Sequence, residues 1–232
     1  MSKKQSLFEN NSNAEDSWLS VADMMAGLMM IFLLIAVLYI SKLRTEYSQV
    51  QGVSDDICSE LQEEFRIEQA EWEMSICQGG LLVSFQDESV FDRGEHRLKQ
   101  KFKNILDDFF PRFMNIVKRN EINISELRIE GHTSSEYTRS NKNNSYLNNT
   151  QLSQRRSYSV MKYVFNVISN KEKHIWMRKN LTAHGMSSAK LIYKKDLEGE
   201  DVEDKKRSRR VEFKIQTNSQ QKLIDQFNNL FQ

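Results

Sequence analysis

The side chain with the clearest chemical demand is Asp23, the one charged residue in the run VADMMAGLMMIFLLIAVLYI from Val21 to Ile40. A charged side chain at the centre of a membrane-spanning helix costs about 2.5–3.5 kcal/mol, and less near the edge. Chains that keep one there place it on an ion pathway or against another polar group. The spacing around Asp23 fits a shielded site. Ser20, Ala26, Gly27 and Met30 stand at −3, +3, +4 and +7 from it, on one side of a helix. Small residues on that side let a second helix approach closely. Leu28, Ile31, Phe32, Ile35 and Leu38 occupy the other faces and suit lipid or apolar partners. Because one helix forms no pathway by itself, a polytopic partner subunit is expected. A span beginning at Met24, with Asp23 among the headgroups, stays open; its length would be about 25 Å.

Other residue types that could do chemistry are sparse. Cys58 and Cys77 are the only two cysteines, too few for a disulfide framework or a structural zinc site. In an oxidising compartment they could form one bridge, and in the cytoplasm they are two thiols. His132 has no second His or Cys at ligand spacing, so it reads as a loop-packing residue and no metal is expected. No phosphate loop or nucleophile–base pair is visible, so neither an enzyme nor a cofactor is expected. The basic run KKRSRR (205–210) follows the acidic EGEDVEDKK, and the net charge is +1, which argues against a nucleic-acid partner.

The elements that must position these residues can be read from periodicity. The chain has 232 residues, room for one ordinary domain plus appendages. Residues 18–41 read as a transmembrane helix, with Trp18 and Tyr39 near its ends and Lys42 and Arg44 beyond it. A secretory signal peptide would need a shorter apolar run and a small-residue cleavage site, which do not occur. Flanking Lys and Arg leave the orientation open. Residues 42–78 read as an acidic linker or stalk, with Ile57, Leu61, Phe65, Glu68, Trp72 and Ile76 at helical spacing and a solvated connecting helix as the plain reading. After the glycine pair at 79–80, strands are predicted at 81–85, 125–131, 180–185 and 210–216. One predicted helix carries Leu98, Phe102, Ile105, Phe109, Phe113 and Ile116, with Pro111 as a kink or break. Another, about 149–168, buries Val160, Met161, Val164, Phe165 and Ile168, and TRSNKNNSYLNNT before it reads as a loop. Alternating strands and helices make an α/β sandwich over 79–217. The tail 218–232 reads as a short docked helix, and residues 1–17 as a polar tail.

A Trp followed by VADMMAGLMMIFLL resembles the single-span B subunits of ion-driven stator motors. MotB-like proteins carry one aspartate near the start of their only helix, as Asp23 is here, and the DMMAGLMMIFLL wording is closest to the B subunits of Zorya anti-phage defence systems. Four further pieces resemble, in order, the motifs of OmpA-like peptidoglycan-binding domains: VSFQDESVFDRGEHRLK, IEGHTSS, NTQLSQRRSYSVMKYV, and HGMSSAK with RSRRVEF. The resemblance covers nearly all of residues 80–217.

This resemblance implies a βαβαβ-type sandwich that binds the stem peptide of peptidoglycan through Asn149, Leu152, Arg156, Thr133 and Ser134. Arg156 holds the motif arginine position, where a planar guanidinium can take a carboxylate through two parallel hydrogen bonds. Ser134 stands where the family has aspartate, and a hydroxyl cannot neutralise an ammonium. Glu136 is the nearby replacement candidate. The resemblance also implies a stator B subunit in the bacterial inner membrane, with the N-terminus cytoplasmic and the folded domain periplasmic. It implies a B homodimer inside a pentamer of MotA-like A subunits, and an Asp23 relay for H+ rather than Na+. The segment after the span would be a plug or dimerising stalk. A flagellar stator and a passive cell-wall anchor remain the alternatives.

Overall fold

A computed structural model describes residues 5–136 and 142–218, and within them the side chains of 18, 21–42, 44, 52–136 and 144–218. The chain divides into two compact units, Met1–Gln51 and Gly52–Gln232.

In the first unit the backbone is helical from Gln5, the start of α1 (Gln5–Glu64), so the helix already includes most of the expected tail. Val21–Lys42 is long and apolar enough to cross a membrane, with a mean hydropathy of 2.5. Helix is the form such a segment needs, because hydrocarbon offers no partner for its N–H and C=O groups. Asp23, Ala26, Gly27 and Met30 are all exposed, and a Cβ added at Gly27 would meet nothing within 4 Å. The side chain of Ser20 lies outside the description.

The second unit begins with the last turns of α1. It continues through α2 (Glu68–Glu71), β1 (Met74–Ile76), β2 (Leu82–Gln86), α3 (Asp87–Val90), α4 (Gln100–Arg119), β3 (Ile124–His132) and α5 (Lys142–Val167). It closes with α6 (Lys171–Asn180), β4 (Leu181–Gly185), the hairpin β5 (Tyr193–Lys195) and β6 (Asp201–Glu203), α7 (Lys205–Ser208) and β7 (Arg210–Thr217). The five-stranded sheet runs β1-β2-β7-β3-β4, with β3 and β4 parallel and the other pairs antiparallel.

Side chains alternate across a strand, so the register sorts the sheet into two faces. Val83, Phe85, Leu127, Ile129, Val211, Phe213 and Ile215 form one buried apolar face. Phe102, Phe109 and Phe113 of α4 and Val160 and Val164 of α5 share its core. The Phe85 ring lies 5.2 Å from Phe102 and 5.1 Å from Phe109, edge to face. Helix α4 continues through Pro111, since packing of this aromatic stripe outweighs one missing N–H.

Residues 52–78 are not a solvated linker. Ile57, Leu61, Phe65, Trp72 and Ile76 are buried in the core of the second unit. Arg112 of α4 fixes the end of α1, donating to the Glu64 carboxylate at 2.7 Å and its carbonyl at 2.6 Å, with its guanidinium 4.7 Å from the Phe65 ring centre. Helix α1 stops at Glu64, and Met74–Ile76 is an edge strand rather than a helical turn. The glycine pair therefore sits in the β1–β2 turn, where Gly79 and Gly80 take φ of 85° and 143°. Cys58 and Cys77 form a disulfide, with Cα atoms 6.1 Å apart, tying α1 to the end of β1.

Two glycines seat α5. Gly131 and Gly185 are register partners in β3 and β4. A Cβ at Gly131 would stand 2.5 Å from the Ser153 carbonyl oxygen, and one at Gly185 would stand 2.5 Å from the Gln154 nitrogen. Helix α5 thus lies directly on the parallel pair, which fixes the height of every side chain it presents. It begins at Lys142, so part of the expected loop is helical. The tail expected after residue 218 lies outside the described residues.

Candidate functional site: a cleft around Arg156

The end of β2 with α3, the loop after β3, and α5 enclose a cleft of about 710 Å³. It brings together all five residues expected from the motif: Thr133, Ser134, Asn149, Leu152 and Arg156. Asn149, Ser153 and Arg156 face inward from α5 and are buried, while Gln154 and Arg155 face solvent.

Three contacts fix Arg156. Its Nε donates to the Glu95 carbonyl at 2.8 Å, its Nη1 lies 3.0 Å from Asp87 Oδ1, and its guanidinium carbon stands 4.8 Å from the Phe91 ring centre. Its side chain is 3% exposed and that of Asp87 is 7% exposed. The contact with Asp87 lacks hydrogen-bond alignment, so Oδ1 keeps acceptor capacity. Burial disfavours both charges. It raises the Asp87 carboxyl to about 6, despite the opposing pull of Arg156, Arg209 and Lys99. It also lowers the Arg156 pKa, aided by repulsion from Arg209 and opposed by Asp87. Buried groups with perturbed ionisation, gathered in a cleft, are a recurring feature of ligand sites.

The loop after β3 is held from several sides. Thr133 N–H donates to the Ser187 carbonyl at 2.9 Å, and Asn149 Nδ2 donates to the Ser134 carbonyl at 3.2 Å. Ser135 donates from its N–H to Glu203 Oε1 at 3.0 Å, which ties the loop to β6. Glu136 does reach the cleft, but Lys205 pairs with it and holds its carboxyl below the usual range. The cleft lining carries four cations, Arg93, Lys99, Arg156 and Arg209, and three carboxyl groups, Asp87, Glu88 and Glu136. Arg209 pairs with Glu88 at 3.0 Å and Lys99 with Asp92 at 3.3 Å, leaving Arg156 as the cation sunk deepest beside the loop.

Asp87, Phe91 and Arg209 are the site residues that spacing did not single out. Asp87 and Phe91 lie inside VSFQDESVFDRGEHRLK and Arg209 inside RSRRVEF, but a linear pattern does not show which side chains of those stretches turn toward α5. In the basic run, Lys205, Arg209 and Arg210 each pair with a carboxylate: Glu136, Glu88 and Glu212.

The sheet order, the arginine helix and the loop that meets it define an OmpA-like domain, and residues 90–205 match the OmpA family. Over 214 residues the chain is 37% identical to Zorya protein ZorB of Escherichia coli strain Crooks, covering 88% of this chain and 89% of that one. The chain therefore belongs to the OmpA family and, over almost its whole length, to the family of Zorya protein ZorB. Among solved structures, a MotB-like protein from Desulfovibrio vulgaris matches with a TM-score of 0.52 at 17% identity, over 75% of this chain and 99% of that one, a likeness of fold.

Proposed function

We propose that this chain is the B subunit of an ion-driven stator complex in anti-phage defence, single-pass in the bacterial inner membrane. The observation that carries the reading is the joining, in one ZorB-like chain, of an apolar helix with one carboxylate, Asp23, and a domain whose cleft sinks Arg156. In the membrane, Asp23 binds and releases a proton against surrounding A-type subunits. The small residues Ala26 and Gly27 leave room for close approach of those helices. A homodimer presents two such carboxylates. Outside the membrane, Arg156 takes a stem-peptide carboxylate through its planar fork, with Asp87 beside it as the acceptor for the ligand's ammonium. Held to peptidoglycan in this way, the B subunit stays fixed while ion flow moves its partner.

The Cys58–Cys77 bridge supports placing the folded domain in the periplasm, since such bridges persist in oxidising compartments. Two variants of the full chain, expressed with the other components of its defence system, test the reading. Asp23→Asn keeps the hydrogen-bonding shape but carries no proton, and should abolish protection while assembly and sacculus binding persist. Arg156→Ala should release the protein from sacculi. Protection undiminished in Asp23→Asn would leave a passive wall anchor as the better description.

A further inference from the structure

The sheet face turned away from α4 and α5 holds a second cluster, built from Glu130, His132 and Glu212. Glu130 and His132 are two apart on β3 and so share a face, and the ladder sets Glu130 directly opposite Glu212 of β7. Like charges in that position repel. Here both carboxylates are buried, Glu130 at 4% and Glu212 at 7% exposure, so the chain needs a cation between them. Arg210 supplies part of that charge, donating from Nε to Glu212 Oε1, and its Nη1 is engaged by the Lys190 and Ser208 carbonyls. Lys214, on the same face of β7, attracts Glu130 from the other side. Glu130 Oε2 and Glu212 Oε2 both turn toward His132 instead.

The imidazole geometry identifies what fits there. His132 Nε2 lies 3.5 Å from Glu130 Oε2 and 3.3 Å from Glu212 Oε2, in a side chain 1% exposed. A charge-assisted N–H···O bond would be about 2.7–2.9 Å. Neither ring nitrogen has a hydrogen-bond partner among the described residues. Donor atoms in a tetrahedral shell with bonds of about 2.0–2.1 Å stand about 3.3 Å from one another. The three donor atoms lie within 4.8 Å of each other.

We propose that Glu130, His132 and Glu212 form a binding site for a divalent cation of the zinc type. No second His or Cys near His132 marks such a site in the sequence. The partners are carboxylates, one two residues earlier and one on a neighbouring strand. The approach to Glu212 lies outside the Arg156 cleft. Glu212 and Arg210 also line a separate cavity of about 410 Å³, together with Ser84, Gln86 and Lys206, from which a water can complete the coordination. His132 immediately precedes Thr133 and Ser134, so the cation braces the root of the loop that forms one wall of the Arg156 cleft.

The test uses the full chain in detergent, stripped with a chelator, dialysed and titrated with Co²⁺. The expected result is one Co²⁺ per chain, with the visible ligand-field bands of a four-coordinate ion, displaced by Zn²⁺. Glu130→Gln and Glu212→Gln should each weaken Co²⁺ binding at least tenfold. Because either variant can lose its fold, the unfolding midpoint of the unaltered chain is also followed with and without Zn²⁺, and Zn²⁺ should raise it reversibly. Absence of saturable binding, or of that rise, overturns the proposal and leaves a histidine packed between two carboxylates. Equal Co²⁺ binding by the folded Gln variants also overturns it, by locating the ion elsewhere.

Discussion

Replacing Asp87 by asparagine tests whether the cleft holds its charges at a cost. Burial raises the Asp87 carboxyl from 3.8 to about 6 in the folded chain. That shift of about two units is worth about 3 kcal/mol of differential interaction. Its sign follows from linkage. Between roughly pH 4 and pH 6 the folded state holds this proton more tightly than the unfolded state, so stability falls as pH rises through that window. The contribution is fully present below about pH 4 and gone above about pH 6. The amide of the Asp87→Asn variant does not titrate, and its carbonyl can still face the Arg156 guanidinium. The difference in unfolding free energy between variant and parent should therefore shift by about 3 kcal/mol in favour of the variant between roughly pH 4 and pH 7. Urea unfolding of the full chain in detergent reads this out through Trp72 and Trp176, both buried, in a Trp18→Phe background. Unfolding free energies that stay parallel across the range would refute the reasoning, because burial would then impose no measurable cost on the Asp87 charge.

Three further outcomes are expected. Reducing the Cys58–Cys77 bridge, or replacing Cys58 with Ser, opens a loop with a sequence separation of 19 residues and should cost about 3 kcal/mol, read as a lower urea midpoint. Gly131→Ala places a Cβ 2.5 Å from the Ser153 carbonyl oxygen and should cost about 1–3 kcal/mol while displacing α5, so that a calorimetric destabilisation accompanies weaker sacculus binding. Arg156→Lys keeps the charge but loses the planar fork, and should weaken sacculus co-sedimentation at least tenfold without changing the far-UV circular dichroism.

What the sequence made legible was set by how local the signal was. The apolar run around Asp23 and the aromatic stripe of α4 are local patterns, and both gave elements at the expected places. The strands at 82–86, 124–132, 181–185 and 210–217 also fell within a residue or two of their predicted bounds. Residues 57–76 show the limit. Their periodicity revealed an apolar face but not what covers it, and α4 and the sheet core do so. The three-residue strand β1 and the exposed hairpin β5–β6, with Leu197 at its turn, are too short for alternation to announce them. Of the residues lining the cleft, Arg156 was singled out through a motif, whereas Asp87 was not. Its role depends on the end of β2 arriving beside α5, a long-range contact. The carboxylates around His132 were hidden for the same reason, since the β3–β7 register alone sets Glu212 opposite Glu130.

If Asp23 works by carrying a proton while the folded domain holds the wall, losing its charge should end protection without dissolving the complex. The most direct measurement is the efficiency of phage plating on cells carrying the complete defence system with Asp23→Asn in this chain, alongside quantification of the assembled membrane complex. The expected result is plating at the level of unprotected cells with the complex present in normal amount. Full protection by an assembled complex that carries the Asp23→Asn chain would contradict it.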